Sequence, residues 1–133
     1  MNGLARNANL AAYQRVAVQG GVSTADPHGL VQMLLDATVE RIAAARSCIE
    51  QGDTVRKTKL LHSCVTLIAE LRGSLNLIQG GALAQNLCDL YEYITKRLLL
   101  GNVRDDVKYL NEVLSLLGEI RSAWIAIGPQ VRG

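Results

Sequence analysis

Helix-stopping residues cut this 133-residue chain into pieces of similar length, and each long piece repeats its apolar residues at helical spacing. Gly20-Gly21 sets off an N-terminal piece. Asp26-Pro27 starts a helix: the Asp side chain accepts from free N–H groups of the first turn, and Pro suits the first helical position. Gly52-Asp53 ends one helix and caps the next. Gly80-Gly81 makes a second break and Gly101-Asn102 a third. Asp105 and Asp106 suit the positive end of the helix that follows, and Gly128-Pro129 stops the last one. The punctuation leaves segments at about 27–51, 53–79, 82–100 and 103–127, none with sustained period-two alternation. Connections of one to three residues make sequential helices antiparallel. The expected fold is therefore all-α: an antiparallel up-down four-helix bundle with a short N-terminal helical or cap segment. Residues 1–22 are expected to be a mobile cap and residues 23–133 the bundle domain.

The apolar stripes say which faces meet. In the first segment Val31, Leu35, Thr38, Ile42, Ala45 and Ile49 step by four and three. Leu61, Cys64, Ile68, Leu71, Leu75 and Ile78 do so in the second. In the third, Leu83, Leu87, Leu90, Ile94 and Leu98 line one face with Tyr91 beside them. Tyr93, Leu99 and Leu100 are surplus to that stripe. The fourth segment carries two seams. One is Val103, Val107, Leu110, Leu114 and Leu117, continued by Arg121 and Trp124; the other is Tyr109, Val113, Leu116, Ile120, Ala123 and Ile127. Together they span roughly half the circumference, wider than the ~100° stripe of an ordinary surface helix. Two arrangements fit: a helix touching two neighbours, or one seam on the core and the other on a groove for a partner. The N-terminal piece, residues 4–19, holds Leu4, Leu10, Tyr13, Val16 and Val18. Two readings fit it, a frayed tail or a helical turn docked on the bundle; a segment this short is marginal alone and needs the bundle surface to become ordered.

Composition removes several functions. The net charge is +2 with no basic block, and aromatic residues make up 4% with no Phe, so neither a phosphate footprint nor a base-stacking platform is present. Cys48, Cys64 and Cys88 form no CxxC pair and are odd in number, which fits small core residues in a reducing compartment. The N-terminus lacks a basic region followed by an apolar run, and no uninterrupted apolar run reaches the ~18 residues of a membrane span. The expectation is a soluble, cytoplasmic protein with no membrane insertion and no nucleic-acid partner.

Catalysis finds no motif. His28 and His62 lie in different segments, and no Glu is followed three residues later by His, as a di-iron carboxylate bundle requires. His62 and Cys64 point about 160° apart on a helix and cannot share a metal. Phosphate-binding glycine loops and nucleophile elbows are absent. The chain is expected not to be an enzyme and to use no cofactor or metal. Among polar residues, Asn86 and Arg97 flank the apolar face of the third segment; an amide matches a peptide backbone, and Arg reaches carboxylates or carbonyls. No acid lies four residues either side of Arg97.

The stretch GGALAQNLCDLYEYITKRLLLGN at 80–102 resembles the signature region of the flagellin-specific export chaperones, the FliS family. The resemblance is carried by Gly80, Gly81, Leu83, Ala84, Asn86, Leu87, Leu90, Tyr91, Tyr93, Arg97, Leu98 and Asn102. AYQRV at 12–16, STADPHGLVQMLLDA at 23–37, LRGSL at 71–75 and EIRSAW at 119–124 are similar to further family motifs, in order, over about residues 12–127. Leu35 and Ala37 depart from the family's Tyr and Gly. The resemblance implies a small cytosolic bundle. It would hold the disordered C-terminal segment of newly made flagellin, prevent its polymerisation and help deliver it to a component of the flagellar type III export gate. It also implies that the N-terminal segment around Tyr13 covers part of the client groove until displaced.

With the surplus apolar residues, the client-facing candidates are Tyr13, Tyr91, Tyr93, Leu100, Tyr109, Val113, Leu116 and Ile120, with Asn86 and Arg97 as polar contacts. The competing reading is a structural bundle that self-associates through an exposed apolar seam as a weak homodimer.

Overall fold

A computed structural model describes residues 26–77 and 81–132; the expected cap, with Tyr13, lies outside them, as does Ile78. The fold is an all-α four-helix bundle of α1 (Pro27–Gln51), α2 (Thr54–Gly73), a 3-10 turn (Ser74–Leu77), α3 (Ala82–Arg104) and α4 (Val107–Arg132). Each helix packs on two others, α1 on α2 and α4, and α3 on α2 and α4, so the four close into a ring. Neighbours run antiparallel. The start of α2 meets the end of α3 where Lys57 Nζ donates to the Asn102 carbonyl at 2.8 Å. The start of α1 meets the far part of α4 where Trp124 Nε1 donates to the His28 carbonyl at 2.9 Å.

The N-terminal caps are the expected ones. Asp26 accepts from the His28 amide at 3.0 Å with Pro27 at the first helical position. Asp53 accepts from the Arg56 amide at 3.2 Å, and Asp106 from the Lys108 amide at 2.9 Å. Gly52 ends α1 in the left-handed region at φ 75°, where glycine has no Cβ to clash.

Three boundaries differ from the sequence expectation. First, α2 gives way to the 3-10 turn at Ser74, whose hydroxyl donates back to the Leu71 carbonyl at 2.7 Å. Second, Gly101-Asn102 does not end the third helix. Gly101 is buried, and a Cβ there would sit 2.6 Å from Leu110 Cδ1 and 3.1 Å from Tyr109 Cβ. The glycine lets α3 and α4 approach closely, and the turn falls instead at Asp105, with φ 51°. Val103 thus belongs to the last turn of α3, exposed, and not to a seam of α4. Third, α4 runs through Gly128-Pro129 to Arg132. Gly128 also serves packing, since a Cβ there would meet the His28 ring at 2.7 Å.

The core takes Val31, Leu34, Leu35, Ile42 and Ala45 from α1, Leu61, Cys64, Leu67, Ile68 and Leu71 from α2, and Tyr91, Ile94 and Leu98 from α3. From α4 it takes Leu110, Val113, Leu117, Ile120 and Trp124, which come from both seams. The helix wedges into the ring along the ridge between the seams, so neither seam is wholly core or wholly surface. Leu83, expected in the α3 stripe, is 54% exposed instead. Cys48 and Cys64 are buried, and burial pushes the Cys64 thiol up to about 12, so it behaves as a small apolar residue.

Candidate binding surface

Among the described residues, two features gather the sequence candidates. The first is an apolar cavity of about 230 Å³ where the starts of α1 and α3 meet the far ends of α2 and α4. Its walls are Val31, Leu71, Leu75, Leu83, Leu87, Tyr91, Ile120, Ala123, Trp124 and Ile127, with Ser74 and Glu119 supplying polar atoms. It exists because α3 enters the bundle loosely. Residues 82–86 carry no buried side chain, and burial on α3 begins at Tyr91. A His28–Trp124 pair fixes the opposite wall. The rings stack at 4.8 Å and 10°, His28 Nε2 lies 2.8 Å from the Trp124 carbonyl, and the indole N–H returns to the His28 carbonyl.

The second feature is a polar-aromatic cluster across the α3–α4 seam. Arg97 Nε donates to Glu112 Oε1 at 2.6 Å, and the Tyr93 hydroxyl donates to Glu112 Oε2 at 2.6 Å. The Arg97 guanidinium lies over the Tyr109 ring at 4.3 Å and near the Tyr93 ring at 5.8 Å. Arg104 reaches the Tyr109 hydroxyl and ring from the last turn of α3. Hydrogen bonds from Tyr93 and Arg97 hold the Glu112 carboxyl below its usual range, while donation to Glu112 raises the Tyr93 phenol and the Arg97 guanidinium. The acid that Arg97 lacks along its own helix comes from the neighbouring one.

The sequence candidates divide between these places. Tyr91 and Ile120 sit in the cavity wall, 2% and 9% exposed. Burial pushes the Tyr91 phenol up to about 12. Tyr93, Arg97 and Tyr109 come together around Glu112. Leu100 and Leu116 are half-buried, and Asn86 is exposed on the first turns of α3. Val113 is a correction: at 0% exposure it belongs to the core, on the same face of α4 as Leu110 and Leu117, and offers no free face. Sequence reasoning missed Leu71, Leu75 and Trp124 as cavity walls, because periodicity marks a residue as apolar-facing without saying whether the space beside it is filled. It also missed Glu112, whose partners lie on another helix. Among the described residues no group of acidic, His or Cys side chains could hold a metal, and no helix is long and apolar enough to cross a membrane.

The family model for flagellar protein FliS matches residues 8–131 of the chain. This chain belongs to the FliS family. Among similar FliS relatives, the flagellar secretion chaperone FliS of Salmonella typhimurium is 39% identical over 120 residues, 90% of this chain and 89% of that protein. FliSB of Pseudomonas aeruginosa is 40% identical over 115 residues, covering 86% and 91% of the two chains. The Vibrio cholerae FliS is 34% identical over 122 residues, covering 92% and 90%. The FliS match spans both the cavity and the Arg97 cluster, and these relatives are named as secretion chaperones, not as enzymes.

Proposed function

We propose that this FliS-family protein is a cytosolic flagellar export chaperone. It binds the disordered C-terminal segment of newly made flagellin, keeps it from polymerising and helps deliver it to the export gate. The observation that carries the reading is the open apolar cavity between Leu83, Leu87, Tyr91, Ile120 and Trp124. A disordered client loses about 1–2 kcal/mol of chain entropy per backbone residue ordered, so its receptor needs apolar surface beyond its own core. The cavity provides that surface. The α3–α4 seam, with Tyr93, Arg97, Leu100, Tyr109 and Leu116, extends it along the bundle, and Asn86 supplies an amide for client backbone. In this reading release comes from the export machinery or from competition, not from nucleotide hydrolysis.

Residues 1–22 fit the same scheme as a removable cover. The chain enters α1 at Asp26, beside the His28–Trp124 wall of the cavity. Tyr13 then competes with the client, and deleting residues 1–22 raises client affinity.

Trp124, the chain's one tryptophan, is a built-in reporter because it lines the cavity. Titrating the protein with the C-terminal segment of its own organism's flagellin should give saturable binding by calorimetry and a change in tryptophan emission. A protein that binds no such segment overturns the reading. A dimer that persists in light scattering with the segment in excess supports self-association through the exposed seam instead.

A further inference from the structure

Arg97 uses only part of its guanidinium within the bundle. Glu112 Oε1 takes the Nε edge at 2.6 Å, and the Tyr93 hydroxyl donates to Oε2 at 2.6 Å. Among the described residues, Nη1 and Nη2 make no hydrogen bond. The plane of the group is fixed by the Tyr109 ring at 4.3 Å, and the side chain is 32% exposed. The terminal edge of a guanidinium is a rigid two-donor fork that matches a carboxylate. Arg104 adds a second cation at the same Tyr109 ring, at 5.7 Å from its centre, which adds positive charge beside Arg97.

We infer that Glu112 is a positioning residue: it holds Arg97 by the Nε edge so that the Nη edge receives a carboxylate of the bound client segment. The inference rests on the flagellin reading and adds that the segment pairs an acidic residue with its apolar ones at the α3–α4 seam. It also explains why the cluster spends an acid on Arg97. A free arginine samples many rotamers, and fixing one in advance removes that cost from binding.

The test is calorimetry of the full chain with the flagellin C-terminal segment. Glu112→Ala should weaken binding about tenfold, the scale of one charge-assisted hydrogen bond, even though it removes a negative charge that would repel an acidic client. Glu112→Gln, which keeps an acceptor for Nε, should fall between. Arg97→Lys, which has no fork, should also lose about tenfold, and adding Glu112→Ala to it should lose nothing more. Changing the segment's Asp and Glu singly to Asn and Gln should reveal one acid that costs about tenfold on the wild type and little on Arg97→Lys. Glu112→Ala binding as tightly as wild type, or additive losses in the double variant, overturns the positioning role. Absence of any sensitive client acid overturns the carboxylate.

A readout independent of the client is the Arg97 Nε–H resonance. It should be protected from exchange in the free protein and lose protection in Glu112→Ala; unchanged protection sinks the positioning role. Wild-type protein that binds no segment overturns the flagellin reading and the carboxylate with it. Positioning would then be decided by the exchange result alone.

Discussion

At the scale of single residues, two polar contacts between helices, one buried and one exposed, serve different purposes. Lys57 is 2% exposed, with its ammonium on the Asn102 carbonyl and the Asp105 carboxylate. It draws the last turn of α3 onto the first turn of α2 and satisfies a carbonyl that the helix end leaves free. Removing the acid strands a buried cation, which costs more than the pair contributes. Because Asp105 is itself half exposed, Asp105→Ala should destabilise by about 2 kcal/mol, not the 3–5 of a fully buried pair, measured by urea unfolding. Adding Lys57→Met should recover part of that loss. The Glu112 cluster is exposed and titrates at both ends. Glu112 is lowered, so its contribution is present above the usual carboxylate range and is lost as pH falls through the lowered value. Tyr93 is raised, so its contribution is complete below the usual tyrosine range and is lost as pH rises through the raised value. NMR titration of the Tyr93 ring should show its pKa drop toward the ordinary phenol value in Glu112→Gln, and no drop would mean that the hydrogen bond does not form in solution.

At the scale of helices, two glycines in similar surroundings of sequence do opposite things. Gly101 allows close approach of α3 to α4, whereas a Cβ on Gly118 would meet nothing within 4 Å. Gly118→Ala should therefore stabilise by about 1 kcal/mol through helix propensity alone. Gly101→Ala has the same propensity gain, but it drives a methyl into the fully buried Leu110. Overpacking of about 1–3 kcal/mol exceeds that gain, so the net effect is destabilising. Thermal unfolding of the pair should give Tm shifts of opposite sign. Gly101 also shows what the sequence can and cannot announce. Helix number, order and antiparallel pairing follow from local chemistry: Asp caps, Gly52 at positive φ, and three-four spacing. Whether a glycine stops a helix or admits a neighbour depends on a residue on another helix, here Leu110, and so Gly101-Asn102 looked like a break. The same limit applies to the site. Tyr93, Arg97 and Tyr109 were legible from surplus apolarity, flanking polarity and family motifs, but Glu112 was not, since its link to them crosses helices. Val113 was misplaced because α4 is buried along the ridge between its two seams, an orientation set by the whole ring.

At the scale of the whole molecule, stability and binding draw on the same apolar residues, and the cavity marks where they separate. Ile120 serves both: it packs in the core cluster and lines the cavity, so Ile120→Asp would damage folding and binding together and discriminate nothing. Leu83 and Ala123 line the same cavity but are exposed, so a carboxylate at either remains hydrated in the free protein. Leu83→Asp and Ala123→Asp should each shift unfolding free energy by no more than about 0.5 kcal/mol, as surface substitutions do. Binding an apolar client segment against either would bury an unpaired charge, which the complex avoids only by losing contact. Affinity for the flagellin segment should then fall at least about tenfold, a cost of 1.4 kcal/mol or more, with Trp124 emission no longer responding to the segment. Unchanged affinity in both variants would place the client elsewhere on the bundle. A large loss of stability in either would mean that the cavity closes in solution and that Leu83 joins the core.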